Sequence, residues 1–283
     1  MSIKILADSA SDLTKDLYEK YDIDVMPLSV IMNDQEYRDR VNLDSNELMC
    51  YMEAGGVPKT SQVPYSIIEE TFKDKCSNHE TVIYIAFSSG LSGTYNTAKL
   101  VERQMKEVNP ELDLTVVDSR SATLGLGLIV LSAAKMSRDG HSKNEILEKI
   151  EFNIDHIEHF FTVKDLNYLY KGGRIRKSQA CFGNILNINP ILCVDDGKLA
   201  IIDKARGRRR AIKKIIELVE SEDYELQNQV IGINHGNDLA GVEYIMDLLK
   251  KKTNIGEIII NDVGCAIGAH AGPGFLGVYF INK

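Results

Sequence analysis

Apolar and polar positions follow two alternating patterns in the first half of the chain. Short apolar runs bounded by polar turns are typical of buried strands, and longer segments with an apolar residue every three or four positions are typical of helices. The strand-like runs are residues 3–7, 23–32, 82–87 and 114–117, and the helical segments that follow them are residues 13–21, 43–54, 91–106 and 122–138. This alternation predicts an α/β fold with a mostly parallel sheet and flanking helices.

The pattern changes after about residue 158. A predicted helix at residues 144–157 is followed by short strand-like runs, two of which flank the turn Asp195-Asp196-Gly197. An Asp-Gly turn between such runs predicts an antiparallel hairpin. The other predicted strands are residues 160–163, 230–234, 258–261 and 277–281, and the other predicted helices are residues 208–219 and 239–251. Together these elements predict a second α/β domain with a mixed sheet.

We therefore predict two domains, residues 1–158 and residues 159–283. The length of 283 residues and the apolar content of 44% are sufficient for each domain to bury a core. No linker rich in Pro, Gly or Ser separates the two parts of the sequence. We expect the domains to pack closely and to hold a ligand in the cleft between them.

Charge and targeting signals restrict the classes of partner. The net charge of −8 argues against bulk electrostatic binding to nucleic acid or to an anionic membrane. Asp8 ends the first apolar run too early for a signal peptide, and the apolar run at residues 122–134 is too short to span a bilayer and predicts a buried helix. Five widely spaced cysteines without a Cys-x-x-Cys pair fit a reducing cytoplasm.

A turn rich in small residues is the first candidate functional segment. Ser88-Ser89-Gly90-Leu91-Ser92-Gly93-Thr94 follows an apolar strand and opens a helix. Free backbone N–H groups, the helix dipole and the hydroxyls make such a turn suited to an anion. Two alternatives stay open. Ser92 or Thr94 could simply cap the helix, or Ser92 could be a hydrolase nucleophile, although Thr94 stands where the Gly-x-Ser-x-Gly pattern requires glycine.

Two further segments carry polar side chains that a ligand could meet. Thr60-Ser61-Gln62 precedes a helix that starts near Pro64, and its alternative interpretation is a helix cap. His270 lies in the glycine-rich stretch 264–274, where little side-chain bulk would keep a ligand away. A lone histidine is nevertheless more often structural.

Two basic segments stand out in this acidic chain. They are Lys171-Gly172-Gly173-Arg174-Ile175-Arg176-Lys177 and Lys204-Ala205-Arg206-Gly207-Arg208-Arg209-Arg210. Arginine is suited to forked binding of carboxylate or phosphate, whereas the alternatives for the second segment are a solvated helix start or a nucleic-acid patch. The sequence contains no dinucleotide or phosphate-loop motif and no metal-ligand spacing, so we assign neither a cofactor nor a metal.

Five short motifs occur in order along essentially the whole chain. They are Asp8-Ser9-Ala10-Ser11-Asp12-Leu13, Thr60-Ser61-Gln62, Ser88-Ser89-Gly90-Leu91-Ser92-Gly93-Thr94, Gly172-Gly173-Arg174-Ile175 and Gly268-Ala269-His270-Ala271-Gly272-Pro273-Gly274. Each motif is weak alone, but the set resembles the DegV family of bacterial fatty-acid-binding proteins. The resemblance implies a two-domain α/β binding protein, not an enzyme, that encloses one long-chain fatty acid with its carboxylate at the interdomain cleft.

The resemblance also implies roles for individual residues. The residues that it places at the fatty-acid carboxylate are Thr60, Ser61, Ser92 and His270. It assigns Arg174 and Arg206 to an acyl-phosphate or to a kinase partner.

A reaction sequence is implied as well. Better-studied members of the family are lipid-presenting subunits of bacterial fatty acid kinase. A separate ATP-binding subunit phosphorylates the bound carboxylate, and the acyl-phosphate then feeds phospholipid synthesis. A cytoplasmic protein with transient membrane contact fits this role. The alternative function that stays open is a serine hydrolase using Ser92 and His270, and a phosphate-handling or nucleic-acid module is a third.

Overall fold

The computed structural model describes residues 3–77, 81–180, 187–220, 229–250 and 256–282. Its strands are β1 (Ile3–Asp8), β2 (Asp24–Met26), β3 (Ser29–Met32), β4 (Gln35–Arg38), β5 (Lys59–Ser61), β6 (Thr81–Ala86), β7 (Leu114–Asp118), β8 (Ile157–Thr162), β9 (Ile188–Asp195), β10 (Lys198–Arg206), β11 (Ile231–His235), β12 (Ile258–Asp262) and β13 (Leu276–Ile281). Its helices are α1 (Lys15–Lys20), α2 (Ser45–Glu53), α3 (Tyr65–Ser77), α4 (Thr94–Val108), α5 (Thr123–Arg138), α6 (Lys143–His156), α7 (Leu166–Lys171), α8 (Lys177–Ala180), α9 (Arg208–Glu220), α10 (Leu239–Leu249) and α11 (Cys265–Ala271).

The first half of the chain forms a parallel sheet with the strand order β2-β1-β6-β7. Each pairing in this sheet is parallel. The central strands β1 and β6 are buried over most of their length, because helices cover a parallel sheet on both faces. This burial explains their nearly continuous apolar sequences, and it confirms the predicted mostly parallel sheet.

The second half forms a six-stranded sheet with the order β10-β9-β8-β13-β11-β12. Only the β11–β12 pairing within it is parallel, so the predicted mixed sheet is confirmed. The hairpin β9–β10 turns at Asp196 and Gly197, which both have positive φ, as an Asp-Gly turn requires. Ile212, Ile215 and Ile216 of α9 are fully buried in the core of this half.

Helix α5 lies between the two sheets. It contacts β1 of the parallel sheet and β8, β11 and β13 of the mixed sheet. Residues Thr123 to Leu131 of this helix are all buried, which confirms the buried helix predicted from the apolar run. The proposed domain boundary near residue 158 falls at the start of β8, and the boundary itself stays a prediction.

One part of the sequence interpretation is wrong. The apolar run at residues 23–32 forms two strands in different sheets, because Pro27 lacks a backbone N–H and interrupts the run between β2 and β3. Strand β3 instead belongs to a small antiparallel sheet with the order β4-β3-β5. Residues Lys59–Ser61 form the edge strand β5 of this sheet, which excludes the helix cap that was the alternative interpretation of this segment, and helix α3 begins at Tyr65, as expected from the position of Pro64.

Candidate functional site

A cavity of about 680 Å³, counting its open mouth, lies between elements from both halves of the chain. Its wall is mostly apolar, and the aliphatic and aromatic side chains that form it include Leu28, Phe87, Leu91, Phe161, Leu199 and Phe275. The tip of the β9–β10 hairpin closes one side, where Ser88 Oγ donates a hydrogen bond of 2.7 Å to the Gly197 carbonyl. An apolar space of this kind is suited to an aliphatic ligand.

Five polar side chains of the wall are candidate residues from the motifs found in the sequence, and we call this group the polar pole. Its members are Thr60, Ser61, Ser92, Arg174 and His270. They come from β5, from the turn before α4, from the segment after α7, and from α11. The fold therefore gathers in one place the four residues predicted at the carboxylate, together with one of the two predicted arginines.

Thr60 and His270 are directly hydrogen-bonded, with 2.6 Å between Oγ1 and Nε2, although 210 residues separate them in sequence. Gly172 packs against the other edge of the imidazole, where an added Cβ atom would lie 2.0 Å from Nδ1. The first glycine of the Gly-Gly-Arg motif is thus required by the position of His270. Burial, and secondarily the charge of Arg174, lowers the pKa of His270 to about 3, so its imidazole is neutral near pH 7.

Arg174 places a guanidinium group at the apolar cavity without a carboxylate partner among the described residues. Its Nε donates to the Leu91 carbonyl at 3.2 Å, and its Nη1 donates to the Gly172 carbonyl at 2.5 Å. Burial lowers the pKa of Arg174, and no carboxylate among the described residues opposes that shift. A partly buried cation with only carbonyl partners favours an anionic ligand.

Ser92 lies at the start of α4 and faces the cavity. Its Oγ is 3.0 Å from Thr94 Oγ1 and accepts a hydrogen bond from the Thr94 N–H at 3.3 Å. Ser92 thus binds the first N–H of the helix, but the N-cap residue of α4 is Gly93, which has no side-chain cap, so the predicted capping by Ser92 or Thr94 is not observed. Gln62 packs against the same turn, where a Cβ atom on Gly93 would lie 2.1 Å from its Oε1. Glycine at position 93 thus allows the Thr-Ser-Gln segment to pack closely against the turn before α4.

The hydrolase alternative has no catalytic geometry in the described residues. Ser92 bonds to Thr94, and His270 bonds to Thr60, so the two groups proposed as nucleophile and base make no hydrogen bond with each other there. A catalytic triad requires that bond, and also a third group that orients the base.

Arg206 does not line the cavity. It is the exposed last residue of β10. Strands β8 and β10 are both antiparallel to β9 and therefore run in the same direction. The chain therefore leaves β8 and β10 at the same end of the mixed sheet, but Arg174 itself bonds to the Leu91 carbonyl, next to the turn whose Ser88 bonds to Gly197 at the opposite end of β10.

Sequence reasoning missed the polar residues deeper in the cavity. Thr123, His159 and Tyr279 line it, but no motif marks them in the sequence. His159 and Tyr279 meet because their strands pair directly, in a register that the apolar pattern does not specify. Among the described residues no group of three or more metal-ligating side chains is placed to hold a metal ion.

The sequence comparison identifies the family. A family model described as an uncharacterised protein of the DegV family matches residues 2–283. This chain belongs to the DegV family. A DegV domain-containing protein of Caldanaerobacter subterraneus is 36% identical over 281 residues, which are 99% of each chain.

Two DegV-like crystal structures show how far the fold similarity extends. A DegV family protein of Thermus thermophilus, whose name states fatty acid binding, has a TM-score of 0.91 and is 28% identical. The similarity covers 100% of this chain and 100% of that protein. A stearic-acid-binding protein of Eubacterium ventriosum has a TM-score of 0.91 and 25% identity, with coverage of 99% of this chain and 98% of that protein. Both names describe binding and not catalysis, in line with the prediction that the chain is not an enzyme.

None of the helices in the described ranges combines the length and the apolar character needed to cross a bilayer.

Proposed function

We propose that this DegV protein binds one long-chain fatty acid, with the hydrocarbon chain in the apolar cavity and the carboxylate at the polar pole. The observation that carries the proposal is the guanidinium of Arg174, which reaches an apolar cavity and has only carbonyl partners in the part of the chain that the structure describes. A carboxylate would supply the missing negative charge. The fatty-acid-binding relatives support this ligand class.

The two parts of the ligand contribute differently to binding. Each buried methylene contributes about 0.8 kcal/mol of binding free energy. An acyl chain of roughly 16 carbons therefore gains on the order of 12 kcal/mol before the cost of ordering the chain is subtracted. The polar pole adds hydrogen bonds to a charged group and fixes the orientation. Because His270 is neutral, Arg174 provides the positive charge, while Thr60 and Ser92 provide hydroxyl donors.

The experiment that tests this assignment is a titration of hexadecanoic acid into delipidated protein. Removal of a hydrogen bond to a charged group costs about 1.5–3 kcal/mol, so we expect the Thr60→Ala, Ser92→Ala double variant to bind at least tenfold more weakly. The matched control is the Ser77→Ala, Thr81→Ala double variant, which removes two hydroxyls outside the cavity wall. Equal affinity of both double variants would contradict the assignment.

The fate of the bound carboxylate forms a second part of the proposal. We infer that a separate kinase subunit phosphorylates it to an acyl-phosphate, which feeds phospholipid synthesis in the cytoplasm. The support is that Ser61 of the cavity wall is exposed at the surface and that Arg206, at the end of β10, is an exposed cation that a partner can contact. The four cysteines among the described residues are free, as a reducing compartment requires, and Cys181 lies outside the described residues.

Transfer of phosphate can be measured directly. Loaded protein is incubated with a purified ATP-dependent fatty acid kinase subunit and ATP labelled in the γ-phosphate. We expect label in the bound fatty acid, with a lower rate for Arg206→Ala. Retention of the wild-type rate by Arg206→Ala would contradict the partner role of this arginine, and absence of label in the wild type would contradict presentation to a kinase.

A further inference from the structure

The wall of the cavity carries a second group of polar side chains, which lie on other elements than the polar pole. They are Thr123, His159 and Tyr279. His159 and Tyr279 are direct partners across β8 and β13, and their rings meet edge to face with centroids 5.6 Å apart. Thr123 is the first residue of α5, and its hydroxyl lies beside that of Tyr279. We call these three residues the inner polar site.

The position of the inner polar site follows from the direction of β8. His159 and Phe161 both line the cavity, and the chain continues from them through Val163 to α7 and Arg174. At about 3.3 Å per residue, His159 lies roughly 13 Å before Val163 along the strand direction. The inner polar site and the polar pole line the same cavity but belong to different elements, so a ligand whose carboxylate is at the polar pole can meet the inner polar site only with its hydrocarbon chain.

Two atoms of the inner polar site have unused hydrogen-bonding capacity. The Tyr279 hydroxyl and His159 Nδ1 are buried and form no hydrogen bond of good geometry with any described residue, although the Thr123 hydroxyl and the Ile157 carbonyl lie beside them. The other imidazole nitrogen, Nε2, is 2.6 Å from Ser121 Oγ. Thr123 Oγ1 donates to the Ala122 carbonyl at 2.7 Å and keeps its acceptor capacity. A purely aliphatic ligand would leave these buried groups unsatisfied.

The backbone around the inner polar site is strained or specialised. Thr123 has φ of +54°, which is a rare conformation for a β-branched residue. Strain of this kind persists where the surroundings fix it, and it clusters at ligand sites. On β13, a Cβ atom at Gly277 would lie 2.1 Å from the Tyr279 hydroxyl, so glycine at that position leaves room for the hydroxyl.

We propose that Thr123, His159 and Tyr279 bind an oxygen substituent on the acyl chain, so that the preferred ligand is a monohydroxylated long-chain fatty acid. The proposal rests on the proposed function, because it requires a fatty acid in the cavity. A hydroxyl group can donate and accept, which matches a tyrosine hydroxyl, a threonine hydroxyl and a neutral imidazole nitrogen. Burial lowers the pKa of His159 to about 4, and a neutral histidine offers no charge to a second carboxylate.

The test is a competition experiment read by native mass spectrometry. Delipidated protein is mixed with hexadecanoic acid and an equal amount of one monohydroxyhexadecanoic acid, and the hydroxyl position is varied along the chain. One additional net hydrogen bond corresponds to a preference of about threefold or more. We expect that preference to be confined to one short range of hydroxyl positions.

Three variants make the test specific. Tyr279→Phe keeps the ring and removes only the hydroxyl, so we expect it to bind hexadecanoic acid and to lose the preference. His159→Phe gives a second measurement of the same loss, should Tyr279→Phe fail to fold. The matched control is Tyr84→Phe, a buried tyrosine that does not line the cavity and that should retain the preference.

The outcomes separate the two proposals. A wild-type protein that prefers hexadecanoic acid to every hydroxylated isomer, or a preference that survives in both Tyr279→Phe and His159→Phe, would overturn the inner polar site alone. Failure of the wild type to bind any fatty acid would overturn the proposed function, and this inference with it.

Discussion

Two buried polar clusters of this protein differ in how their charges are compensated. In the first, which we call the carboxylate cluster, Asp8, Asp12 and Asp39 surround the 3₁₀ turn at Ser9–Ser11. Asp39 accepts hydrogen bonds from Ser9 Oγ at 2.8 Å and from the Cys265 N–H at 2.7 Å. Asp8 accepts from Ala10, Phe87 and the hydroxyl of Tyr84. These bonds connect the start of the chain to α11, and Asp8 caps the 3₁₀ turn.

Arg40 supplies the positive charge of the carboxylate cluster. Its Nη2 lies 2.8 Å from Asp12 Oδ1 and 2.8 Å from the Asp262 carbonyl. The polar pole is the opposite case, because Arg174 has carbonyl partners and no carboxylate among the described residues. The comparison suggests that a charge compensated within the chain supports the fold, whereas a charge that lacks its counterion beside an apolar cavity belongs to a ligand site.

The largest effect should follow from breaking the compensated pair. Arg40→Ala leaves Asp12, which is fully buried, without its counterion. Loss of one partner of a buried pair costs about 3 kcal/mol or more of the free energy of unfolding. Urea unfolding measures this loss, and a change below about 1 kcal/mol would contradict the structural role of the cluster.

The matched substitution at the polar pole should leave stability intact and reduce binding. Arg174→Met keeps much of the side-chain volume and removes the charge, so we expect affinity for hexadecanoic acid to fall by about 1.5–3 kcal/mol. The free energy of unfolding of the delipidated protein should stay the same or rise slightly, because no internal partner loses its counterion. A large loss of stability without a loss of affinity would contradict the assignment of Arg174 to the ligand site and would give it the structural role that Arg40 has.

The two clusters should also respond to pH in opposite directions. Burial, only partly offset by Arg40, raises the folded-state pKa of Asp12 to about 7. The contribution of Asp12 to stability is therefore present below its ordinary pKa of about 4 and is lost as the pH rises through 7. The folded-state pKa of His270 is lowered to about 3, so its contribution is present above the ordinary value of about 6.5 and is lost as pH falls.

Unfolding between pH 4.5 and 6.5 tests this opposition. The stability of Asp12→Asn relative to wild type should rise with pH, and that of His270→Gln should fall, each by at most about 1.4 kcal/mol per pH unit. Parallel slopes for the two variants would contradict the assigned directions of the pKa shifts.

The smallest expected effect concerns Arg206. It is exposed at the end of β10 and does not line the cavity, so Arg206→Ala should bind hexadecanoic acid with wild-type affinity. Calorimetry of the two proteins provides the comparison. A tenfold loss of affinity would place Arg206 with Arg174 in the ligand site.

The sequence predicted the parts of this molecule that depend on local pattern. The strands of the parallel sheet, the buried helix α5 and the Asp195-Asp196-Gly197 hairpin follow from apolar periodicity and turn chemistry. The small sheet of β3, β4 and β5 was missed, although Asn33 and Asp34, both with positive φ, mark its hairpin turn.

Long-range contacts set the limit of prediction at the candidate site. The motifs named Thr60 and His270, but only the fold shows that they bond to each other and that Gly172 packs against the imidazole. The inner polar site depends on the register of β8 against β13, which a one-residue slip would destroy. Such registers are fixed by packing across the whole sheet and not by any short segment.

The most direct test of the account is the identity of the ligand that the protein carries when it is purified under native conditions. Mass spectrometry of the organic extract, with protein quantified in parallel, should show close to one long-chain fatty acid per chain, and strongly reduced occupancy in Arg174→Met. Native protein that carries no fatty acid and does not acquire one from an added mixture would contradict the central claim that the polar pole and its apolar cavity form a fatty-acid site.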